Sequence, residues 1–206
     1  MLFWRRVLRP GDQFFDIGSN VGTYALWAGD CGAQVLAFEP DPGAFQRLSE
    51  NIELNHFDIQ ARRIALADKV GTMRLTMGRD TVNQLVLDPD AGDGTQHVEV
   101  STLDAIADDR PIRGVKIDVE GAERLVIQGA EQSLRAQRID LIQMEWNRMS
   151  EVTLGESRAP VADLLAGHGY ALFRPHPQGI KCLDSIDFGS DVFAVSPNAA
   201  ESLRLD

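Results

Sequence analysis

The stretch Phe14-Phe15-Asp16-Ile17-Gly18-Ser19-Asn20-Val21-Gly22, running on into Thr23-Tyr24-Ala25-Leu26-Trp27-Ala28, constrains this chain more than any other. A short apolar run, a glycine-bearing turn and a helix start describe the first strand, loop and helix of a nucleotide-binding α/β domain. Glycine lets the backbone approach a ligand closely, and the helix start offers free N–H groups. Spacing narrows the ligand. A dinucleotide fingerprint reads G-x-G-x-x-G, its middle glycine leaving room for a pyrophosphate. Here the pattern is Asp16-x-Gly18-x-Asn20-x-Gly22, with asparagine in that place and a carboxylate ahead of the turn.

A carboxylate there repels a pyrophosphate and suits an ammonium or sulfonium group. The turn therefore argues against a nicotinamide cofactor and for S-adenosylmethionine (SAM).

The rest of the chain supplies the alternation that such a loop needs. Pro10-Gly11-Asp12 turns into a first strand over 13–17, and a helix over 22–28 ends near Gly29. A second strand, 34–38, stops at Glu39-Pro40-Asp41-Pro42, where Asp41 reads as an N-cap with proline at the first helical position. The helix that follows carries Phe45, Leu48, Ile52 and Leu54 inward. A third strand covers 59–65. From Asp68 the pattern changes: 72–77 alternates and pairs with 97–101, across a loop at 87–96, as an edge insertion spanning about 68–101. Thr102 opens a short helix over 103–107. Core strands at 115–117 and 139–144, helices at 122–129 and 161–166, and final strands at 170–173 and 192–195 complete the pattern. It predicts one α/β domain over 1–206, a mostly parallel sheet with helices on both faces.

The net charge of −11 argues against a broad phosphate-binding surface and hence against a nucleic-acid partner. Arg5-Arg6 and Arg62-Arg63 read as solvated surface. Charge arrives after three apolar residues in Met1-Leu2-Phe3-Trp4-Arg5-Arg6, which does not read as a signal peptide, and no run approaches the ~20 apolar residues of a membrane span. Cys31 and Cys182 lack metal-site spacing, so free thiols in a reducing cytoplasm are expected.

In open α/β sheets ligands bind beyond the carboxyl ends of the strands. Asp16, Glu39, Asp118, Glu120 and Glu145 all fall at or beside such ends, and Asp68 follows the third strand by a few residues. Glu39 lies 21 residues after Gly18, where a carboxylate can accept both ribose hydroxyls of an adenosine; otherwise it only caps the next helix. Asp68 either accepts from an adenine amino group or is a turn aspartate. Asn20 either bonds the amino-acid end of the cofactor or tolerates a left-handed turn. Ser19, Gly22 and Pro40 complete the candidate cofactor contacts.

Three stretches together, Asp16-x-Gly18-x-Asn20-x-Gly22, Phe38-Glu39-Pro40 and Lys116-Ile117-Asp118-Val119-Glu120-Gly121-Ala122-Glu123, closely resemble the FkbM family of class I SAM-dependent methyltransferases. The resemblance runs from about Pro10 to Asn147, and the 118–123 stretch is its most specific part. It implies a doubly wound, Rossmann-like sheet of seven strands in the order 3-2-1-4-5-7-6, strand seven antiparallel. It also implies O-methylation of a sugar or polyketide hydroxyl, cofactor contacts at Asp16, Gly18, Asn20, Gly22 and Glu39, and a methyl-transfer region bordered by Asp118 and Glu120.

Transfer to oxygen needs in-line positioning and removal of the hydroxyl proton. Asp118, Glu120 or Glu145 can act as base, or hold a divalent cation that acidifies the hydroxyl. Asp118, Glu120 and Glu145, with Asn147, are hard oxygen ligands suited to Mg²⁺ or Ca²⁺ rather than zinc. Glu120 and Glu123 otherwise order the local loop and helix start. His56, His97 and His168 show no pairing pattern; His176, in Pro175-His176-Pro177-Gln178-Gly179, is the one histidine placed to overhang the site. Residues 148–160 and 174–190 are the candidate acceptor-facing segments. The expected acceptor is a small molecule or glycan; the alternative is a nucleotide-binding or regulatory module that keeps the fold without transferring methyl.

Overall fold

The computed structural model describes residues 1–76, 85–86, 94–183, 185–186, 189 and 191–203. Helix α1 (Leu2–Val7) precedes β1 (Gln13–Ile17), α2 (Thr23–Asp30), β2 (Gln34–Phe38), α3 (Pro42–Asn55) and β3 (Ile59–Arg62). Four short strands follow: β4 (Ala65–Leu66), β5 (Gly71–Thr76), β6 (Leu85–Val86) and β7 (Thr95–Ser101). Then come α4 (Leu103–Ile106), β8 (Ile112–Ile117), α5 (Glu123–Gln128), α6 (Glu131–Arg135), β9 (Ile139–Glu145), α7 (Met149–Thr153) and α8 (Ala159–Gly167). Strands β10 (Ala171–His176), β11 (Gly179–Cys182) and β12 (Asp191–Val195) lead to α9 (Pro197–Leu203).

The main sheet has the order β3-β2-β1-β8-β9-β12-β10-β11. Strands β3, β2, β1, β8 and β9 are parallel, while β12 runs antiparallel to both β9 and β10. Eight strands are present where seven were expected, because the chain after β10 does not loop over the site but folds back as a hairpin onto β11. His176 consequently lies within β10, exposed and opposite Gly179 in that hairpin.

β1 is buried along its whole length, which is why its apolar residues Phe14, Phe15 and Ile17 do not alternate with exposed polar ones and its polar residues Gln13 and Asp16 are buried too. Its alternation splits the core. Phe15 and Ile17 join the layer that contains Val115, Ile117, Ile142 and Leu165, under α5 and α8. Phe14 joins Trp4, Ala25, Val35, Leu141 and Phe193 under α1 and α2. Helix α1 had no signature in the sequence; it is held by Trp4, which is 2% exposed and packs edge-on against Phe14 with ring centroids 5.0 Å apart. In α3, Asp41 accepts from Ala44 N at 2.8 Å, as an N-cap should. Leu48 is fully buried, whereas Leu54 faces solvent rather than the core.

β4, β7, β5 and β6 form a separate four-stranded sheet in that order. β5 pairs antiparallel with β7 from Gly71↔Val100 to Thr76↔Thr95, so the strand begins at Thr95, inside the segment expected to be loop; 87–93 lie outside the described residues. The expected strand over 59–65 is two strands: Arg62 ends β3, and Ala65 pairs with Val100 in the second sheet.

Candidate active site

A cavity of about 290 Å³ opens at the carboxyl edge of the main sheet, between the ends of β1, β2, β8 and β9. Gly18 and Asn20 line it from the loop after β1, Glu39, Pro40 and Asp41 from the end of β2, and Asp118, Val119 and Glu120 from the loop after β8. Glu145 closes it at the end of β9. Ile64, Ala65, Leu66 and Leu75 give it an apolar wall, so the second sheet is part of the site.

The loop after β1 is shaped by its neighbours. Gly18 has φ +77°, and a β-carbon there would collide with the carbonyl oxygen of Asp118. The glycine is thus required by the approach of the β8 loop as well as by any ligand. Asn20 sits in the left-handed region at φ 50°, where asparagine is tolerated, and its Oδ1 is buried without a partner. Glu39 accepts from Asn20 N at 2.8 Å through one oxygen and from Asp41 N at 2.9 Å through the other. Burial raises its pKa against the pull of these two N–H groups.

Three expected cofactor contacts lie behind the loop instead of on the cavity. The Asp16 carboxylate points to the α2 side, 2% exposed, and accepts from Ala25 N at 2.9 Å. Ser19 Oγ donates to the Asp16 carbonyl at 2.7 Å and accepts from Phe38 N at 3.1 Å. Gly22, at φ +94°, abuts Leu48. These residues fix the loop from beneath. Burial pushes the Asp16 carboxyl up to about 7, although Lys116 and the Ala25 N–H oppose it. Asp68 is exposed and does not line the cavity: residues 64–66 occupy that wall, and the turn at 68–70 carries the chain away to β5.

At the other end, carboxylate oxygens of Asp118, Glu120 and Glu145 lie within 4.8 Å of one another. Glu120 (φ 52°) and Gly121 (φ +96°) make the sharp turn that places the Glu120 carboxylate there. A side chain at Gly121 would strike the backbone of Met149. Burial, then Glu145, Asp118 and Glu123, push the Glu120 carboxyl up to about 7. Burial, then Asp118 and Glu123, do the same for Glu145, also to about 7. Glu145 Oε2 is buried and has no hydrogen-bond partner.

Two supports hold this cluster; the loop-ordering role of Glu123 was among the expected readings, whereas its partner Arg158 and the part played by Lys116 were not. Glu123 and Arg158, 0% and 2% exposed, form a buried ion pair. Glu123 Oε1 also accepts from Gly121 N at 3.2 Å, while Arg158 donates to the carbonyl oxygens of Glu145 at 2.9 Å and Asn147 at 3.2 Å. Asn147 Oδ1 accepts from Met149 N at 2.8 Å and from Arg158 at 3.4 Å. The amide is therefore committed to its own loop, and Asp118, Glu120 and Glu145 come together without the expected fourth oxygen ligand. The second support is Lys116, 2% exposed, whose Nζ donates to Asp118 Oδ2 at 3.2 Å. Burial opposes its charge, but Asp118, then Asp191, Tyr24 and Asp16, outweigh it and raise its pKa. A lysine between Val115 and Ile117 in a buried strand is a signal legible in sequence. Arg158, in an unremarkable loop, offers none.

A mostly parallel sheet, a glycine turn at its switch point and an acid after the second strand define a Rossmann-like, nucleotide-binding architecture. The profile of the methyltransferase FkbM domain matches residues 16–172, and the chain belongs to that family. It is 29% identical to the 31-O-demethyl-FK506 methyltransferase FkbM of Streptomyces tacrolimicus, over 80% of this chain and 75% of that protein. It is 28% identical to the hexuronic acid methyltransferase AglP of Haloferax volcanii, over 65% of this chain and 56% of that protein. Among solved structures, a Streptococcus mutans methyltransferase in complex with SAH superposes with TM-score 0.52 at 12% identity, covering 94% of this chain and 93% of that one. Magnesium protoporphyrin IX methyltransferase of Synechocystis, with bound SAM, gives 0.51 at 11%, covering 91% and 71%. Among the described residues, no helix is long and apolar enough to cross a membrane.

Proposed function

We propose that this chain transfers the methyl group of SAM to a hydroxyl of a sugar, polyketide or other small molecule. The observation that carries the reading is the convergence on one cavity of the Gly18–Asn20 loop, Glu39 and the carboxylates Asp118, Glu120 and Glu145. The cavity fits the cofactor on its own terms. Glu39 keeps lone pairs free beside its two backbone bonds and suits ribose hydroxyls. The Ile64–Leu75 wall suits an adenine face, and the orphaned Asn20 Oδ1 awaits a donor such as an ammonium.

SAM supplies an activated methyl on a cationic sulfur. What the protein adds is orientation and a proton acceptor. Glu145, whose Oε2 has no other partner, and Glu120 are the groups placed to take the acceptor's hydroxyl proton as the carbon–oxygen bond forms. Asp118, fixed by Lys116, orients the hydroxyl. Asp16, Ser19 and Gly22 serve the cofactor indirectly by shaping the loop. The substrates in the relatives' names, 31-O-demethyl-FK506 and a hexuronic acid, support a hydroxylated small-molecule or glycan acceptor. The net charge of −11 supports a role without nucleic acid.

Calorimetry with SAM and SAH tests the cofactor; absence of binding below the millimolar range would remove the reading. Turnover against a panel of hydroxylated acceptors then separates an enzyme from a module that binds without transferring methyl.

A further inference from the structure

Every ionisable side chain that lines the cavity is an acid: Glu39, Asp41, Asp118, Glu120 and Glu145. Among the described residues no lysine or arginine lines it. Three cations stand behind it: Lys116 supports Asp118, Arg158 is paired with Glu123, and the charge of Arg47 is felt at Glu39. Among the described residues neither Glu120 nor Glu145 makes an ion pair. A second feature has the same sense. The cavity residues carry two buried polar atoms without a hydrogen-bond partner, Asn20 Oδ1 and Glu145 Oε2, and both are acceptors. The cavity's side chains are therefore short of positive charge and of donors, and both deficits are met by a cationic ligand.

We propose, resting on the SAM reading above, that the cavity selects by charge and holds the sulfonium form of the cofactor more tightly than the SAH it becomes. The two ligands differ by one methyl group and one positive charge. Methyl transfer removes that charge and passes a proton to the acids, so the step that completes the reaction also weakens the grip on the product. A unit charge about 6 Å from a carboxylate, at a water-like effective dielectric constant near 80, changes affinity about three-fold, so Glu120 and Glu145 together give about ten-fold. A cavity that recognised only shape and adenosine contacts would bind SAH as well as SAM.

The experiment is calorimetry at pH 8 with SAM, SAH and sinefungin, an unreactive analogue with an amine-bearing carbon in place of the sulfonium. It compares the unaltered chain with Glu120→Gln and Glu145→Gln, each checked for folding by circular dichroism. SAM and sinefungin are expected to bind about ten-fold more tightly than SAH, with the gap shrinking to about three-fold or less in each variant. SAH binding as tightly as SAM in the unaltered chain overturns the inference, as does a gap that both variants leave intact. Failure of all three ligands to bind is a different result: it removes the cofactor reading itself.

Discussion

Arg158 and Glu123 form a buried ion pair that ties the loop after β8 to the loop after β9. One partner reaches the turn that carries Glu120, and the other reaches the carbonyl of Glu145. Removing a single partner leaves an unpaired buried charge. Arg158→Met should therefore cost about 3–5 kcal/mol in denaturant unfolding, while Glu123→Leu combined with Arg158→Met should recover most of it. A single variant as stable as the original chain would show the pair to be incidental.

Glu39 is braced by two backbone N–H groups and still faces the cavity. Glu39→Ala should weaken SAM binding by about 1.5–3 kcal/mol, roughly 10–150-fold. An unchanged dissociation constant in a folded variant would refute the ribose assignment.

The chemical step should depend on the carboxylates at the ends of β8 and β9. Asp118→Asn, Glu120→Gln and Glu145→Gln keep shape and remove charge. Loss of a positioned base should cost about 10²–10⁴-fold in turnover, with SAM affinity affected far less. Because Glu120 and Glu145 titrate near 7 and a base must be deprotonated, turnover should rise through about pH 7 and level off above it. A flat rate from pH 5.5 to 8.5 would exclude both groups as bases.

The same shifts set a stability trend. In the unfolded chain these carboxyls titrate near 4.5, and in the fold near 7, so the fold binds their protons more tightly. Their contribution is fully present below about pH 4.5 and is lost as pH rises through about 7. The cofactor-free variants Glu120→Gln and Glu145→Gln should melt higher than the original chain at pH 8, and no higher at pH 4.5. Lower melting at pH 8 would mean that the acids stabilise the empty site.

EDTA should leave turnover unchanged. Asn147, the expected fourth oxygen ligand, is engaged by Met149 and Arg158, and Lys116 already supplies a cation to Asp118. Activity lost on chelation and restored by Mg²⁺ would transfer the role of the carboxylates from proton acceptor to metal ligand.

Local chemistry in the sequence determined the frame: the β1 turn, the Asp41 cap with Pro42, the alternation of apolar strands with helices, and the acids at strand ends. Each follows from backbone geometry or periodicity within a dozen residues, which is why Gly18, Glu39, Asp118, Glu120 and Glu145 could be named before any coordinates. Which acids face the cavity was decided by tertiary structure. Asp16 and Gly18 are two residues apart, yet one carboxylate turns under α2 while the other residue, past the end of β1 at φ +77°, meets the β8 loop. Asn147 was lost to the site because Arg158, eleven residues on, claims its oxygen. The apolar wall depends on Leu75, brought in by a second sheet whose pairing has no local signature. Long-range pairing and burial of charge are properties of the assembled fold; a linear pattern carries the residues that can make them and not the partners they find.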